Sequence, residues 1–209
     1  MINTNSLNRK EREKHLRKSE IADAATFLFA KNGYDSTTLD DIAAKSEFGK
    51  GTIYNYFNSK EEIYDYIIED IFSTHLELLK KADEESKTFR DLVERITYDI
   101  LEFCFFYSDK FQLLVTVRTN RFKFGSKKCS DICLKFDEEI FNIYKKRILL
   151  GIEKKEIIDI NPDTLVLFYP SFIFPYIISL LTVKSSDTID INKEVKYLVK
   201  ILFEGIAAK

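Results

Sequence analysis

The chain has 209 residues, of which 45% are hydrophobic and 32% charged, so its composition is that of a folded protein and excludes a disordered one. Its formal net charge of −2 argues against a protein that coats nucleic acid through bulk positive charge. Only six glycines and three prolines occur, and this scarcity of helix-breaking residues predicts an all-α fold.

Positive charge is concentrated at the start of the chain. Residues 1–60 carry a net charge of +2, whereas the remaining residues carry −4. Between Arg9 and Lys18 there are six basic residues and two acidic ones. We expect residues 1–16 to form a flexible basic arm, and such polarity suits a protein that presents one end to DNA. This polar start lacks the apolar segment of an export signal, so we expect a cytoplasmic protein.

Three helices are predicted in the first sixty residues. Apolar residues at helical spacing place the first from about Arg17 to Lys31, before a stop at Asn32-Gly33. Thr38 is the predicted N-cap of the second, with Asp41 completing a weaker form of capping box. The third is expected over Lys50–Phe57.

Longer helices are predicted in the rest of the chain. Ser59 and Glu62 form an S-x-x-E capping box that begins a fourth helix, which ends near Lys81 and links the first region to the second. The polar run at residues 82–88 is the expected boundary. Further helices are predicted over Thr88–Tyr107, Lys110–Phe122, Lys127–Lys155, Pro162–Val183 and Lys193–Ala207.

The segment from Gly49 to Lys60 is rich in groups that suit a DNA duplex. Glycines permit close backbone approach, Lys50 and Asn55 can reach bases or phosphates, and tyrosine hydroxyls can donate to phosphate oxygens. The same arrangement occurs in proteins that do not bind DNA, where the tyrosines only pack. The candidate DNA-binding residues are Thr38, Lys50, Gly51, Thr52, Tyr54, Asn55, Tyr56 and Lys60.

These residues resemble the DNA-binding motif of the tetracycline-repressor (TetR/AcrR) family of bacterial transcriptional regulators. The family pattern T-x-x-x-I-A, then K-G-T-[LI]-Y-x-[YH]-F, then x-S-K-E is matched in order and spacing. The matching residues are Thr38, Ile42-Ala43, Lys50-Gly51-Thr52-Ile53-Tyr54-Asn55-Tyr56-Phe57 and Ser59-Lys60-Glu61.

The resemblance implies a fold of about nine helices in two domains. A three-helix helix-turn-helix domain would span residues 17–62, its linking helix would reach about residue 81, and residues 82–209 would bind an effector and dimerise. The eight candidate residues would then lie on double-stranded DNA, at an inverted-repeat operator bound by a homodimer. Asn55 is the candidate for base selectivity, because its position varies in the family and an amide can read adenine.

One position departs from the family pattern. Glu47 stands in the turn where the family usually has glycine, and Phe48 replaces a small aliphatic residue. Glycine there eases a left-handed backbone conformation, so we expect strain at Glu47 or a turn of different shape.

Residues 164–183 are twenty consecutive uncharged positions, which is long enough for a membrane span. Pro170 and Pro175 would kink such a span, and its aromatic residues lie along its middle and not at its ends. The resemblance offers another use, because the last two helices of the family form the dimer interface. We therefore expect no membrane association, with Lys193–Ala207 as the partner helix.

Aromatic residues of the second half indicate either core packing or an effector pocket. The family encloses an effector between these helices, and a pocket so lined would favour a small lipophilic or aromatic molecule. Arg118 and Asn120 would orient it, or would lie on a solvated helix face. The candidate pocket residues are Phe103, Phe106, Tyr107, Phe111, Arg118, Asn120, Phe122, Tyr169, Phe172 and Tyr176.

The sequence shows no pattern of an enzyme, a cofactor site or a metal site. It has no glycine-rich phosphate loop, and two histidines leave little for general base chemistry. Cys129 and Cys133 are four residues apart, which allows a redox switch but is more typical of buried packing residues.

The function predicted is that of a ligand-responsive transcriptional repressor. A protein of the same fold with no small ligand is the first alternative. The second is a membrane-associated interaction protein in which residues 164–183 insert.

Overall fold

The computed structural model describes residues 8–119, 127–183 and 188–205. Within these ranges it contains nine α-helices and no strand, which confirms the predicted all-α fold. The helices are α1 (Arg9–Asn32), α2 (Leu39–Lys45), α3 (Lys50–Tyr54), α4 (Lys60–Glu85), α5 (Phe89–Phe106), α6 (Ser108–Thr119), α7 (Lys127–Glu153), α8 (Pro162–Val183) and α9 (Ile191–Glu204).

Helix α1 begins earlier than the sequence predicts. It starts at Arg9 and not near Arg17, so residues 9–16 of the expected flexible arm are helical. Asn8 caps the helix: its side-chain oxygen accepts the Glu11 N–H, and the Glu11 carboxylate accepts the Asn8 N–H, both at 3.0 Å. The apolar period could not reveal this start, because the first turns are exposed and carry no apolar stripe.

Two other boundaries differ in detail. Helix α3 ends at Tyr54, three residues before the predicted end. At the start of α4, the Ser59 hydroxyl accepts the Glu62 N–H at 3.2 Å, as a capping box requires. The Glu62 carboxylate reaches back one residue further than predicted and accepts the Asn58 N–H at 2.7 Å.

The described residues form two compact units. The first comprises the chain as far as Thr74 together with Ser108–Phe136, and the second comprises His75–Tyr107 and the chain from Asp137 onward. Helices α4 and α7 each begin in the first unit and end in the second. These units are defined by packing alone, so the functional division expected near residue 82 stays a prediction.

In the first unit, α1 packs against α2 and α6, and α2 packs against α3. Ile21, Ile42 and Ile53, one from each of the first three helices, are completely buried. Outside this core, the Gln112 amide of α6 donates to the Ala30 carbonyl of α1 at 3.0 Å. The short helices α2 and α3 are therefore held on a packed base.

In the second unit, α5 packs against α8 and α9. The turn before α5 is fixed by Arg147 of α7, whose guanidinium donates to the carbonyls of Ser86 and Thr88, each at 3.1 Å. The same guanidinium lies 3.2 Å from the Asp83 carboxylate. Arg147 thus joins the end of α4 to the start of α5.

Helix α8 is apolar on two faces. Its buried residues follow one stripe: Val166, Tyr169, Ile173, Ile177 and Leu180. Outside that stripe, Leu167 is 63% exposed and Phe168 51% exposed. Among the described residues, α8 is also the one helix long and apolar enough to cross a membrane, judged by length and composition alone.

Candidate DNA interface

Thr38 and Asp41 form the predicted capping box at the start of α2. The Asp41 N–H donates to the Thr38 hydroxyl oxygen at 3.1 Å, and the Thr38 N–H donates to the Asp41 carboxylate at 2.8 Å. The Thr38 hydroxyl also donates to that carboxylate at 2.6 Å. These bonds lower the pKa of Asp41, so the cap is fully charged at neutral pH.

The turn between α2 and α3 has the geometry anticipated for a glycine. Glu47 has φ of 58°, in the left-handed region. The Phe48 N–H donates to the Ala43 carbonyl at 3.1 Å, and the Glu47 N–H donates to the Ala44 carbonyl at 3.4 Å. This pair of bonds is a Schellman motif, which requires a left-handed residue at the position of Glu47. The turn therefore keeps its shape, and Glu47 bears the strain.

Helix α3 and the three residues that follow it, which we call the recognition segment (residues 50–57), lie on the surface and are anchored by two side chains. Ile53 and Phe57 are buried in the first unit. Lys50, Gly51, Tyr54 and Asn55 are exposed, and Tyr54 retains 49% of its accessible surface. The segment therefore presents its polar side outward, as a recognition helix must.

Lys50 has an exposed ionic partner that the sequence did not reveal. Its ammonium lies 2.9 Å from the carboxylate of Asp40 in α2. This carboxylate raises the pKa of Lys50, which is therefore charged at neutral pH. An exposed pair of this kind stabilises the fold very little, so a phosphate can replace Asp40 at little cost.

Gly51 is not required by the fold. A methyl group added at its Cα would meet no atom within 4 Å outside its immediate neighbours. An alanine would fit the isolated protein here and has a higher helix propensity, so packing within the fold gives no reason for the glycine.

Lys60 has its ammonium turned toward the protein. The ammonium donates to the carbonyls of Tyr34 and Thr37 at 2.7 Å each, and to that of Asp35 at 3.5 Å. It also lies 4.3 Å from the centre of the Tyr34 ring. All three ammonium donors thus have acceptors in the loop before α2, which sequence reasoning missed because these partners lie 23–26 residues away.

Two basic residues of α1 pack on aromatic rings on either side of α3. The Arg17 guanidinium lies 5.2 Å from the Phe48 ring centre, and the Lys18 ammonium lies 4.8 Å from that of Phe57. These cation–π contacts tie the first helix to both ends of the recognition segment. The positive charge near Lys18 was evident in the sequence, but its ring partners were not.

The predicted effector residues occupy varied environments. Phe103 and Tyr107 have ring centres 5.8 Å apart, and Phe172 stacks on Phe168. Phe106 is 72% exposed, whereas Phe111 is buried within the first unit. Asn120 and Phe122 lie outside the described residues, as does the Arg118 side chain.

Two predicted pocket tyrosines make side-chain hydrogen bonds in the second unit, one buried and one partly buried. The Tyr169 and Thr97 hydroxyl oxygens are 2.8 Å apart, and burial raises the pKa of Tyr169 above its ordinary range. The Tyr176 hydroxyl donates to the buried carboxylate of Glu194 in α9. Burial and this carboxylate raise the pKa of Tyr176 to about 12, so its hydroxyl stays protonated at neutral pH.

The cysteines show no redox or metal arrangement within the described part of the chain. Cys104 and Cys133 are buried and form no disulfide there, and burial raises the pKa of the Cys104 thiol. The Cys129 side chain is not described. No cluster of three or more metal-ligating side chains occurs among the described residues.

The chain is similar to known regulators over most of its length. Residues 21–67 match the family described as bacterial regulatory proteins, tetR family. An uncharacterized HTH-type transcriptional regulator, YhgD of Bacillus subtilis, is 34% identical over 151 residues, which are 70% of this chain and 75% of YhgD. IcaR of Staphylococcus epidermidis, the negative transcriptional regulator of the biofilm operon icaADBC, is 34% identical over 77 residues, or 37% of this chain and 42% of IcaR.

The fold also matches that of solved regulators. FadR of Bacillus subtilis, in complex with stearoyl-CoA, superposes with a TM-score of 0.72 at 18% identity, covering 90% of this chain and 99% of FadR. At that identity the likeness concerns the fold alone. The family is established by the match at residues 21–67 and by the extended similarity to YhgD. The chain therefore belongs to the tetR family of bacterial regulatory proteins, whose members are helix-turn-helix transcriptional regulators.

Proposed function

We propose that this protein is a ligand-responsive repressor that binds an inverted-repeat DNA operator as a homodimer. The observation that carries the proposal is the recognition segment, whose buried Ile53 and Phe57 leave Lys50, Tyr54 and Asn55 on the surface. A regulator of this family needs such a segment to enter the major groove. The similarity to IcaR, a negative regulator, supports repression.

Each exposed group has a proposed task at the duplex. Asn55 selects the base, because its amide can donate and accept at an adenine edge. Thr52, Tyr54 and Tyr56 donate to phosphates, and Lys50 exchanges Asp40 for a phosphate. Gly51 permits close approach of the backbone. Thr38 fixes the start of α2 beside them and contributes its hydroxyl.

Lys60 is assigned a different task from the phosphate contact that the resemblance implies. Its ammonium already donates to three carbonyls of the loop before α2. We infer that it positions that loop, and with it the cap at Thr38.

The proposed dimer interface uses the outward faces of α8 and α9. Leu167, Phe168 and Ile178 of α8 are exposed, as are Tyr197 and Ile201 of α9. Exposed apolar groups at this density favour a partner surface of the same composition. Insertion of α8 in a membrane remains the second candidate, favoured by the length and apolar composition of that helix.

The proposed effector is a lipophilic molecule bound in the region of residues 82–209. Support comes from the aromatic residues of α5 and α8 and from the fold likeness to FadR, whose structure holds stearoyl-CoA. The effector must bind the DNA-incompetent state more tightly than the competent one, or it cannot release DNA. Helix α4 would carry the change, because it runs out of the DNA-binding unit.

The test is selection of bound duplexes from a random pool with the purified protein, at two salt concentrations. We expect an inverted repeat whose binding weakens steeply with salt, because phosphate contacts release counterions. Asn55→Ala should change the preferred base at symmetric positions of the repeat. Asn142→Ala, an exposed asparagine of α7, is the matched control and should select the original repeat. Recovery of no sequence above random would refute DNA-specific binding.

The selected operator then tests the ligand. Stearoyl-CoA should release the operator, whereas coenzyme A without an acyl chain should not. Release by neither stearoyl-CoA nor any of a panel of lipophilic compounds would favour the alternative without a small ligand.

A further inference from the structure

Helix α1 extends beyond the core that it serves. Its first completely buried residue is Ile21, yet the helix begins at Arg9. The reciprocal cap between Asn8 and Glu11 closes its first turn. Three turns of capped helix therefore carry no core residue, and their function must be sought outside the core.

The extension presents basic side chains on the face that later packs against the core. Lys10, Lys14, Arg17 and Ile21 follow at intervals of four, three and four residues, which places them along one side of the helix. Ile21 is buried, whereas Lys10 and Lys14 are exposed. The same face is thus apolar where α1 packs in the core and basic in the turns before it. We call Lys10, Lys14 and Arg17 the basic stripe.

The C-terminal end of the basic stripe, at Arg17, is fixed beside the candidate DNA interface. Arg17 lies over the ring of Phe48, the residue two before α3, and pairs with Glu20 at 3.2 Å. The next residue, Lys18, lies over Phe57, the last residue of the recognition segment. The orientation of the stripe is therefore tied to that of α3 by contacts on both sides of it.

At the N-terminal end of the stripe, Lys10 and Lys14 pair with no carboxylate among the described residues. The carboxylate of Glu11, between them, accepts the Asn8 N–H. In a chain of net charge −2, a localised excess of this kind complements a polyanion.

We propose that the basic stripe is a second DNA-contact surface, on phosphates that flank the base pairs read by α3. This inference rests on the proposed function, because it takes the duplex to be the one that α3 binds. Lys10 and Lys14 are separated by about 6 Å along the helix axis, and each DNA strand carries a phosphate every ~3.4 Å along its axis. The two ammonium groups can therefore reach separate phosphates. The stripe increases the affinity and extends the contacted stretch of DNA, and it adds no base selectivity.

The test compares the wild type with the double variant Lys10→Gln/Lys14→Gln on two duplexes. One duplex contains the selected repeat alone, and the other adds flanking base pairs on each side. Glutamine keeps helix propensity, and both positions are exposed, so thermal unfolding should be unchanged. Lys135→Gln/Lys146→Gln is the matched control, since it removes two exposed lysines from α7, outside the proposed dimer interface.

On the flanked duplex, the stripe variant should bind at least tenfold more weakly at low salt. Its dependence of log Kd on log salt should be shallower by about 3.6, because the homodimer loses four phosphate contacts and each one removes roughly 0.9 from the slope. On the short duplex, the wild type and the stripe variant should bind with similar Kd values, and both should select the same repeat. The control variant should retain the wild-type slope.

Two results would overturn the proposal in distinguishable ways. If the wild type selects a repeat but the stripe variant keeps the full slope on flanked DNA, the stripe makes no phosphate contact and the proposed function stands. If the wild type prefers no duplex at all, the proposed function itself fails.

Discussion

At the scale of single residues, Lys60 shows how a motif position can be occupied for a reason other than the expected one. The family pattern places a lysine at the start of the fourth helix, and the resemblance implies a phosphate contact. In this chain the ammonium is surrounded by the carbonyls of Tyr34, Asp35 and Thr37. A lysine that holds a loop and a lysine that binds phosphate differ in measurable ways.

Replacing Lys60 with methionine should lower stability without removing a phosphate contact. Methionine keeps much of the side-chain length but donates no hydrogen bond, so the unfolding free energy should fall by about 1–2 kcal/mol in chemical denaturation. DNA binding should weaken while its salt slope stays at the wild-type value. Lys50→Met provides the comparison, with little change in stability and a slope shallower by about 2, from one lost contact in each protomer. If the Lys60→Met variant has normal stability and a shallower slope, Lys60 contacts a phosphate, as the resemblance implies.

At the scale of elements, the turn of the helix-turn-helix keeps its geometry with an unfavourable residue. Both Schellman hydrogen bonds form, so Glu47 adopts the left-handed conformation that glycine would adopt more easily. For a residue with a Cβ that conformation costs about 1–2 kcal/mol. The core beneath the turn, with Ile42 and Ile53 buried, imposes it.

Glu47→Gly should therefore stabilise the protein. The expected gain is about 0.5–1 kcal/mol in the unfolding free energy, since relief of strain exceeds the extra chain entropy of glycine. Glu47→Ala is the control, because it removes the same charge but keeps a Cβ. Equal stability of the glycine and alanine variants would show that the charge, and not the backbone, determines the effect.

At the scale of the whole molecule, the outward apolar faces of α8 and α9 require a partner in the proposed function. Ile201→Glu would place a carboxylate in the proposed dimer interface, where burying it without a partner is costly. Ile201 is 42% exposed in the protomer, so the change should leave the protomer folded. We expect sedimentation to show a monomer, with loss of tight binding to the full repeat.

The matched control for the dimer is Leu149→Glu, which introduces the same carboxylate at a half-exposed leucine of α7. That variant should sediment like the wild type. An Ile201→Glu protein that remains dimeric would place the interface elsewhere. Recovery of the wild type in the membrane fraction would instead favour insertion of α8.

Much of the fold was accessible from local sequence. The predicted cap at Thr38 forms, and α5 and α8 begin after Thr88 and Asn161, at or within one residue of the predicted starts. Apolar spacing located the first helix, whose Ile21 is buried. The start of α1 was not predicted, because a capped and charged helix has no apolar period. The end of α3 at Tyr54 was not predicted either, because boundary turns depend on local hydrogen bonds.

By itself, the sequence determined the helical class and the family and supplied the candidate recognition residues, because these follow from local periodicity and a contiguous motif. Only the tertiary structure decided what the charged side chains contact. Asp40 beside Lys50, the loop carbonyls around Lys60 and the rings beneath Arg17 and Lys18 are brought together by the packing of separate elements. The partner of a long flexible side chain is set by which groups lie near it in space. The spacing of residues along the chain does not specify those groups.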